Sequence, residues 1–484
     1  MSLPEHWKRE CRYRFALMFS LFIFSALQAD AGIIEKIPVL QPVGILYVRA
    51  LPAYRGQPIT WKVAGYTIDE ASGVYAATDT LLGSGDSVRV LAIKYATKYS
   101  FYKVYAAVGA EKDSLELQAF TKGSIQPYLF RSPAFATKPI PVHIYLPASF
   151  SPSSAMVVVM HGVDRNAYSY ALSWISYAAA ANTIVVAPEF NATNWTSDAY
   201  SQGNMFTGSD GTGSLNPKEK WTFTIVSDIQ RTIARGFGLR DSTFILWGHS
   251  AGAQFVHRKL LFSFDPLIKV ALSANAGWYT APDTTILFPW GVSHPFLSLT
   301  GADLQQFVSR NLILMRGTAD TIRDSNLNTD PLSDAQGKNR YQRAGYFYRS
   351  GVAVSSSLTW KLIDVPNVGH EYQKMAAAAG EYLSKGATLV ERTIQSVNSG
   401  FDLSSYPNPF NPSTTVRFSV PSTSVTTLMI YSMLGERIQT LVDKVLDPGV
   451  YTVMFDGTTL ANGVYVCRLS SGAYSTSVKL VLLK

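Results

Sequence analysis

The residues Gly248-His249-Ser250-Ala251-Gly252 form a G-x-S-x-G pattern, a setting in which serine can act as a nucleophile. A hydroxyl stays exposed on a sharp strand-to-helix turn only if backbone and helix pass close by, which glycine permits. The helix that follows such a turn also points free N–H groups and its positive dipole end at the same place. By composition alone the pattern arises roughly one time in five in a chain of this length, so its context has to carry the argument. STFILW at 242–247 reads as a strand before it and AGAQFVHRKLL at 251–261 as a helix after it.

Serine is a weak nucleophile and needs a base, and the base an acid to orient it. Asp320 follows the apolar run LILMRG (312–317) after Thr318 and Ala319, and His370 follows TWKLIDV (359–365) after Pro-Asn-Val-Gly. Both stand just past strand ends, in the order Ser, acid, His. Asp324, four residues on, is a rival for the acid. His143, His161, His249, His257 and His294 are alternative bases, with His143 and His257 placed where structural histidines sit. His161-Gly162 closes the strand AMVVVM, so the backbone N–H groups of Val163 and Ala251 are the expected donors to an oxyanion. Trp278, Tyr279 and Trp290 follow strand ends on the same side. With His294 they are candidates for the wall of a substrate pocket, and 195–222 stands where a lid would be inserted.

The elements that must position these residues fall into three textures. Residues 32–135 alternate apolar and polar with period two, as in GILYVRAL (44–51), ITWKVAGYTI (59–68), SVRVLAIKYA (87–96) and SFYKVYAAV (100–108), which predicts a β-sandwich. Residues 136–398 alternate short, continuously apolar strands with helical stretches such as 168–181 and 218–236. That is the signature of a mostly parallel sheet with helices on both faces. A Ser/Asn/Gly-rich stretch near 396–405 then gives way to a second β region, 399–484. It opens on the proline-punctuated Tyr-Pro-Asn-Pro-Phe-Asn-Pro and continues in strands such as TVRFSV (415–420) and GVYVCRLS (463–470).

The first 31 residues read as a secretory signal: a basic stretch from Lys8 to Arg14, the apolar run at 15–27, then Ala29-Asp30-Ala31. The apolar run is shorter than the roughly 20 residues a spanning helix needs, so cleavage near Ala31 and a mature protein without a transmembrane anchor are expected. Its loss would leave a net charge of +7 from the +8 of the full chain. The charge is spread rather than clustered, which argues against a nucleic-acid partner. Cys467 is then the only cysteine, so neither an intrachain disulfide nor a cysteine-held metal is expected. No metal-binding, P-loop or dinucleotide motif is present, and no cofactor is expected.

The central stretch, roughly 140–385, resembles the polyhydroxybutyrate-depolymerase-like esterases of the α/β-hydrolase superfamily. The resemblance lies in MHGVDRNAYSY with Trp174, VVAPEF, GHSAGAQFVHR (248–258), NAGWYT (275–280), FPWGV (288–292) and QGKNRYQRAGYF (336–347). It implies an α/β-hydrolase sheet, Ser250, Asp320 and His370 as the triad, and an ester substrate: a polyester, a feruloyl or acetyl ester, or a small acyl ester. The N-terminal region resembles a fibronectin-III-like module. SYPNPFNPSTTVRFSVP (405–421), YSMLGERI (431–438), LANGVYVCRLS (460–469) and the terminal KLVLLK resemble the Ig-like sorting domain of the type IX secretion system of Bacteroidetes-like bacteria. That likeness implies export by this machinery to the medium or cell surface. A serine peptidase and a non-catalytic binding protein on the same scaffold are the competing functional classes.

Overall fold

The computed structural model describes residues 32–34, 39–42, 45–68, 75–91, 99–385, 390–393, 401–446 and 448–484. The expected signal, 1–31, lies outside the described residues. The chain divides into two compact units, 1–119 and 120–484.

In the first unit a five-stranded sheet includes the strands Thr60–Ile68, Tyr99–Val108 and Glu111–Phe120, and a two-stranded ribbon joins Ile45–Arg49 to Ser87–Leu91. Val48 and Val88 of the ribbon share one apolar core with Trp61, Val104 and Leu117 of the sheet. Two sheets therefore bury their facing sides together, as period-two patterning requires. The strand Tyr75–Ser84, whose sequence YAATDTLLGS lacks clean alternation, was not expected.

The second unit is built on eight consecutive strands. They are β1 (Ser124–Phe130), β2 (Ile140–Leu146), β3 (Ala155–Met160), β4 (Thr183–Pro188), β5 (Phe244–His249), β6 (Ile268–Ala274), β7 (Leu312–Gly317) and β8 (Lys361–Val365). Their spatial order is β1-β2-β4-β3-β5-β6-β7-β8, with β2 antiparallel to both of its neighbours, β1 and β4, and every other pair parallel. β1 falls in the stretch assigned from sequence to the N-terminal module. It pairs with β2 and lies in the second compact unit, which begins at 120. Pro127 hid this strand, since proline is tolerated in a sheet chiefly at an edge, which is where β1 lies.

Helices Ala167–Leu172, Ile175–Ala180 and Tyr372–Lys385 cover one face in a single apolar cluster with Val157, Val159, Trp247 and Ile363. The alternate residues Val158, Val186 and Leu246 are fully buried as well. The second face is covered by helices that include Thr222–Gly236 and Ala251–Ser263. Beyond β8, the short strand Val390–Thr393 pairs with both β8 and Gly449–Asp456, so the sheet runs on into the C-terminal region. There a four-stranded sheet faces this extension across a core that includes Val416, Phe418, Leu428, Tyr451 and Leu469. Cys467 is buried in that core, which pushes its thiol pKa up to about 12.

Candidate active site

The parallel strands β5, β6, β7 and β8 end on the same side of the sheet, and the loops leaving them bring the candidate residues together. Ser250 turns the chain from β5 into the helix Ala251–Ser263 with φ 57° and ψ −118°, a backbone conformation that costs free energy in any residue with a side chain. Two close approaches enforce the turn. A Cβ on Gly248 would stand 2.3 Å from the Gly252 carbonyl oxygen, and one on Gly252 would stand 2.2 Å from that of Met160. The turn is tied down by the Ser250 N–H, which donates to the Ala274 carbonyl at 3.0 Å. Ala251 opens the helix, so its N–H has no acceptor within the helix.

The loop after β3 passes beside Ser250: a Cβ on Gly162 would be 3.8 Å from that of Ser250. Val163 follows it and is 44% exposed. The loop is pinned from behind, because the Tyr200 hydroxyl donates to the His161 carbonyl at 2.7 Å and its ring stacks on the His161 ring. The Phe190 N–H donates to His161 Nε2 at 3.1 Å. Tyr170 connects the same neighbourhood to the elbow through a 3.0 Å hydrogen bond with His249 Nδ1. Burial lowers the His161 pKa to about 4 and pushes those of His249 and His257 well below the ordinary histidine value. His257 binds the Ala253 carbonyl and the Thr280 N–H, and His143 pairs with Glu189 at 2.8 Å, so both are structural.

His370 Nε2 lies 3.0 Å from Ser250 Oγ, and its Nδ1 lies 2.8 Å from Asp320 Oδ2. Asp320 is 2% exposed. Asp324 makes no hydrogen bond to the imidazole, whose Nδ1 partner is Asp320. Asp324 forms a two-pronged pair with Arg340 at 2.6 and 2.8 Å, which holds its pKa down at about 2. Asn275, not singled out in the sequence, clips the strand ends together. Its Oδ1 accepts from the Gly317 N–H at 2.8 Å and its Nδ2 donates to the Gly369 carbonyl at 2.9 Å, next to His370. The one sequence signal for it is position, an asparagine just past a strand, where the positive φ of 51° suits that residue type.

Residues 404–483 match the secretion system C-terminal sorting domain. A poly(aspartic acid) hydrolase from Sphingomonas sp. KT-1 is 32% identical, with 54% of this chain and 98% of that one covered at a TM-score of 0.50. A poly(3-hydroxybutyrate) depolymerase from Bordetella parapertussis is 29% identical, with 55% and 91% covered at a TM-score of 0.51. No curated protein sequence matches the chain. The chain belongs to the α/β-hydrolases.

In this hydrolase the aromatic residues behave differently from one another. Trp278 and Trp290 pack together with ring centroids 5.6 Å apart, and the buried Arg258 guanidinium covers the Trp278 face at 4.1 Å. Tyr279, expected in the pocket wall, is fully buried instead. It stacks on Phe347, and its backbone is held by Gln336 through two hydrogen bonds. Trp278 is buried too, at 8% exposed, so the two neighbours differ in their packing partners rather than in burial. His294 donates to the Gly211 carbonyl at 2.9 Å and packs on Phe206, so it fastens the 206–211 loop. The 195–222 stretch is folded rather than loose, with Trp195, Tyr200, Met205 and Trp221 all buried. It borders a cavity of about 240 Å³ lined by Lys138, Asp198 and Gln202, among others, but by neither Ser250 nor His370. Its sorting domain marks the hydrolase as a secreted or cell-surface protein. Among the described residues no helix is long and apolar enough to cross a membrane.

Proposed function

We propose that the hydrolase is an exported serine carboxylic-ester hydrolase working through an acyl-enzyme on Ser250. The observation that carries this reading is the unbroken hydrogen-bonded run from Ser250 Oγ through His370 to Asp320, at 3.0 and 2.8 Å, behind a serine held in a strained turn.

His370 Nε2 takes the Ser250 proton as Oγ attacks the ester carbonyl, and the tetrahedral oxyanion is met by the N–H groups of Val163 and Ala251. Collapse expels the alkoxide, which receives the proton from His370, and leaves the acyl group on Ser250. Water then attacks the acyl carbon while His370 takes its proton. The second collapse returns that proton to Oγ and releases the acid. Asp320 holds the imidazole with its Nδ1 proton inward and stabilises the imidazolium. Trp278 and Trp290 border the acyl side of the site in this reading.

The substrate classes are polyesters, feruloyl or acetyl esters and small acyl esters. A second reading, cleavage of an amide-linked polymer, is favoured by the 32% identity to a poly(aspartic acid) hydrolase. The same residues would serve it, with the leaving amine taking the proton. The N-terminal unit is read as a fibronectin-III-like module that holds polymer, the C-terminal region as an Ig-like domain recognised by the type IX machinery, and 1–31 as a signal removed near Ala31.

A fluorophosphonate probe tests the centre. Labelling of Ser250, lost in Ser250→Ala together with p-nitrophenyl acetate hydrolysis, is the expected result; an unlabelled but folded protein would sink the catalytic reading. A panel of poly(3-hydroxybutyrate), poly(aspartic acid) and feruloyl esters then separates the substrate classes.

A further inference from the structure

We propose that Asp324 and Arg340 form a charge-balancing pair behind the triad, and that this pair sets the pH at which His370 becomes a competent base. The proposal rests on the reading of Ser250, His370 and Asp320 as the triad. Both residues act through Asp320 and are positioning residues, since neither touches the reacting atoms.

The geometry is that of one carboxylate shared between an imidazole and a guanidinium. Asp320 Oδ2 faces His370 Nδ1 at 2.8 Å, while Asp320 Oδ1 faces Arg340 Nη1 at 3.6 Å. The side chains of Asp320 and Arg340 are 2% and 1% exposed, so water screens their interaction poorly. Left alone, Arg340 would offset the Asp320 charge and disfavour the imidazolium that forms during attack. Asp324 counters this by holding the guanidinium at 2.6 and 2.8 Å from the solvent side, where its own side chain is 36% exposed. Arg340 is fixed at the start of the helix Arg340–Val354, which Asn339 caps by accepting from the Gln342 N–H.

The other groups around His370 do not duplicate this function. The His249 ring, 4.5 Å away, is kept neutral by burial. Tyr170 and Tyr372 stack on one another beside His249. Glu371 is paired with Lys374 at 2.6 Å and with the Gly369 N–H, so its charge is balanced locally. Further back, Asp364 pairs with both Arg316 at 2.5 Å and Lys444 at 3.5 Å, a cluster that faces Asp364 rather than the imidazole. With His370 neutral, Asp320, Arg340 and Asp324 therefore leave one net negative charge beside the imidazole.

This predicts opposite effects from two substitutions. Asp324→Asn removes the net negative charge, so the imidazolium is less favoured and the acid limb of kcat/KM moves to lower pH. Arg340→Gln adds a second uncompensated negative charge, so the limb moves to higher pH. Each shift is roughly half to one pH unit for a charge acting across one intervening group. Arg340→Lys keeps the charge and returns the limb to within a few tenths of wild type.

The test is the pH profile of kcat/KM for p-nitrophenyl acetate with the full chain, whose acid limb reports the base in free enzyme. Asp324→Asn lies at a partly exposed site and keeps an acceptor for Arg340, so it carries the test even if Arg340→Gln fails to fold. A downward shift in Asp324→Asn supports the proposal. An unchanged limb, an upward shift, or movement of both variants in one direction overturns it. Failure of the triad reading is separately visible, because Ser250→Ala would then retain activity.

Discussion

The loops that leave the neighbouring strands β5 and β6 are held by different forces. After β5, the chain is forced through Ser250 by backbone meeting backbone: Gly248 against Gly252, and Gly252 against the Met160 carbonyl. After β6, the chain is held by side chains, with Arg258 on Trp278, Phe347 on Tyr279 and Gln336 on the Tyr279 backbone. Backbone contacts have nowhere to relax, whereas a set of side-chain contacts can share a disturbance. The first loop should therefore fail abruptly and the second by degrees.

The largest effect belongs to the nucleophile. Ser250→Ala should lower kcat by about 10⁴- to 10⁶-fold with an unchanged melting temperature, read by steady-state kinetics beside thermal denaturation. A fall of less than tenfold would mean that the elbow's strain serves no chemistry.

Next comes a matched pair of glycines, one in each loop. In Gly252→Ala the new Cβ meets the Met160 carbonyl at 2.2 Å, and the loss should be about 3 kcal/mol or more together with most activity. In Gly277→Ala the nearest atom is the tip of Gln254 at 3.0 Å, which can swing aside, and the cost should stay below about 1 kcal/mol. Equal losses, measured by denaturant unfolding, would remove the distinction between the loops.

The same distinction explains what residue types could reveal. The elbow was legible because backbone crowding demands glycine at fixed offsets, and Ser250, Asp320 and His370 follow the strand ends that their flanking apolar runs predict. Asn275 and Arg340 were not legible as site residues. Their importance comes from carbonyls and carboxylates that converge only once β6, β7 and the helix Arg340–Val354 are packed. The packing of Tyr279 on Phe347 was not legible either, because an aromatic residue type suits a pocket and a core equally. Among strands, Arg437–Leu446 escaped because its sequence RIQTLVDKVL carries charge along a largely exposed strand.

A smaller effect comes from the buried histidines on the elbow side. His161 has its pKa lowered to about 4, while an unfolded chain binds the proton near 6.5. Between those values the unfolded state holds more protons, so stability rises with pH from 4 to 6.5 and is flat above. The gap corresponds to about 3 kcal/mol for His161, and His249 and His257 act in the same direction. Unfolding free energies measured across this range should show that slope, and His161→Gln should make it shallower. A stability independent of pH below 6.5 would mean that these rings are protonated in the folded chain and the elbow side is wetter than its packing indicates.

The smallest effect separates the two neighbours in the β6 loop. The Tyr279 hydroxyl is buried beside the Ala276 backbone and the Ser273 side chain, which only partly offset its desolvation. Tyr279→Phe keeps the stack on Phe347 and should leave kcat/KM unchanged and stability within about 1 kcal/mol of wild type. Trp278→Phe thins a ring that carries the Arg258 guanidinium, and it should alter KM for bulky acyl groups more than for acetate. If Tyr279→Phe shifted acyl preference while Trp278→Phe did not, the segment after β6 would have to present Tyr279 rather than Trp278 to substrate.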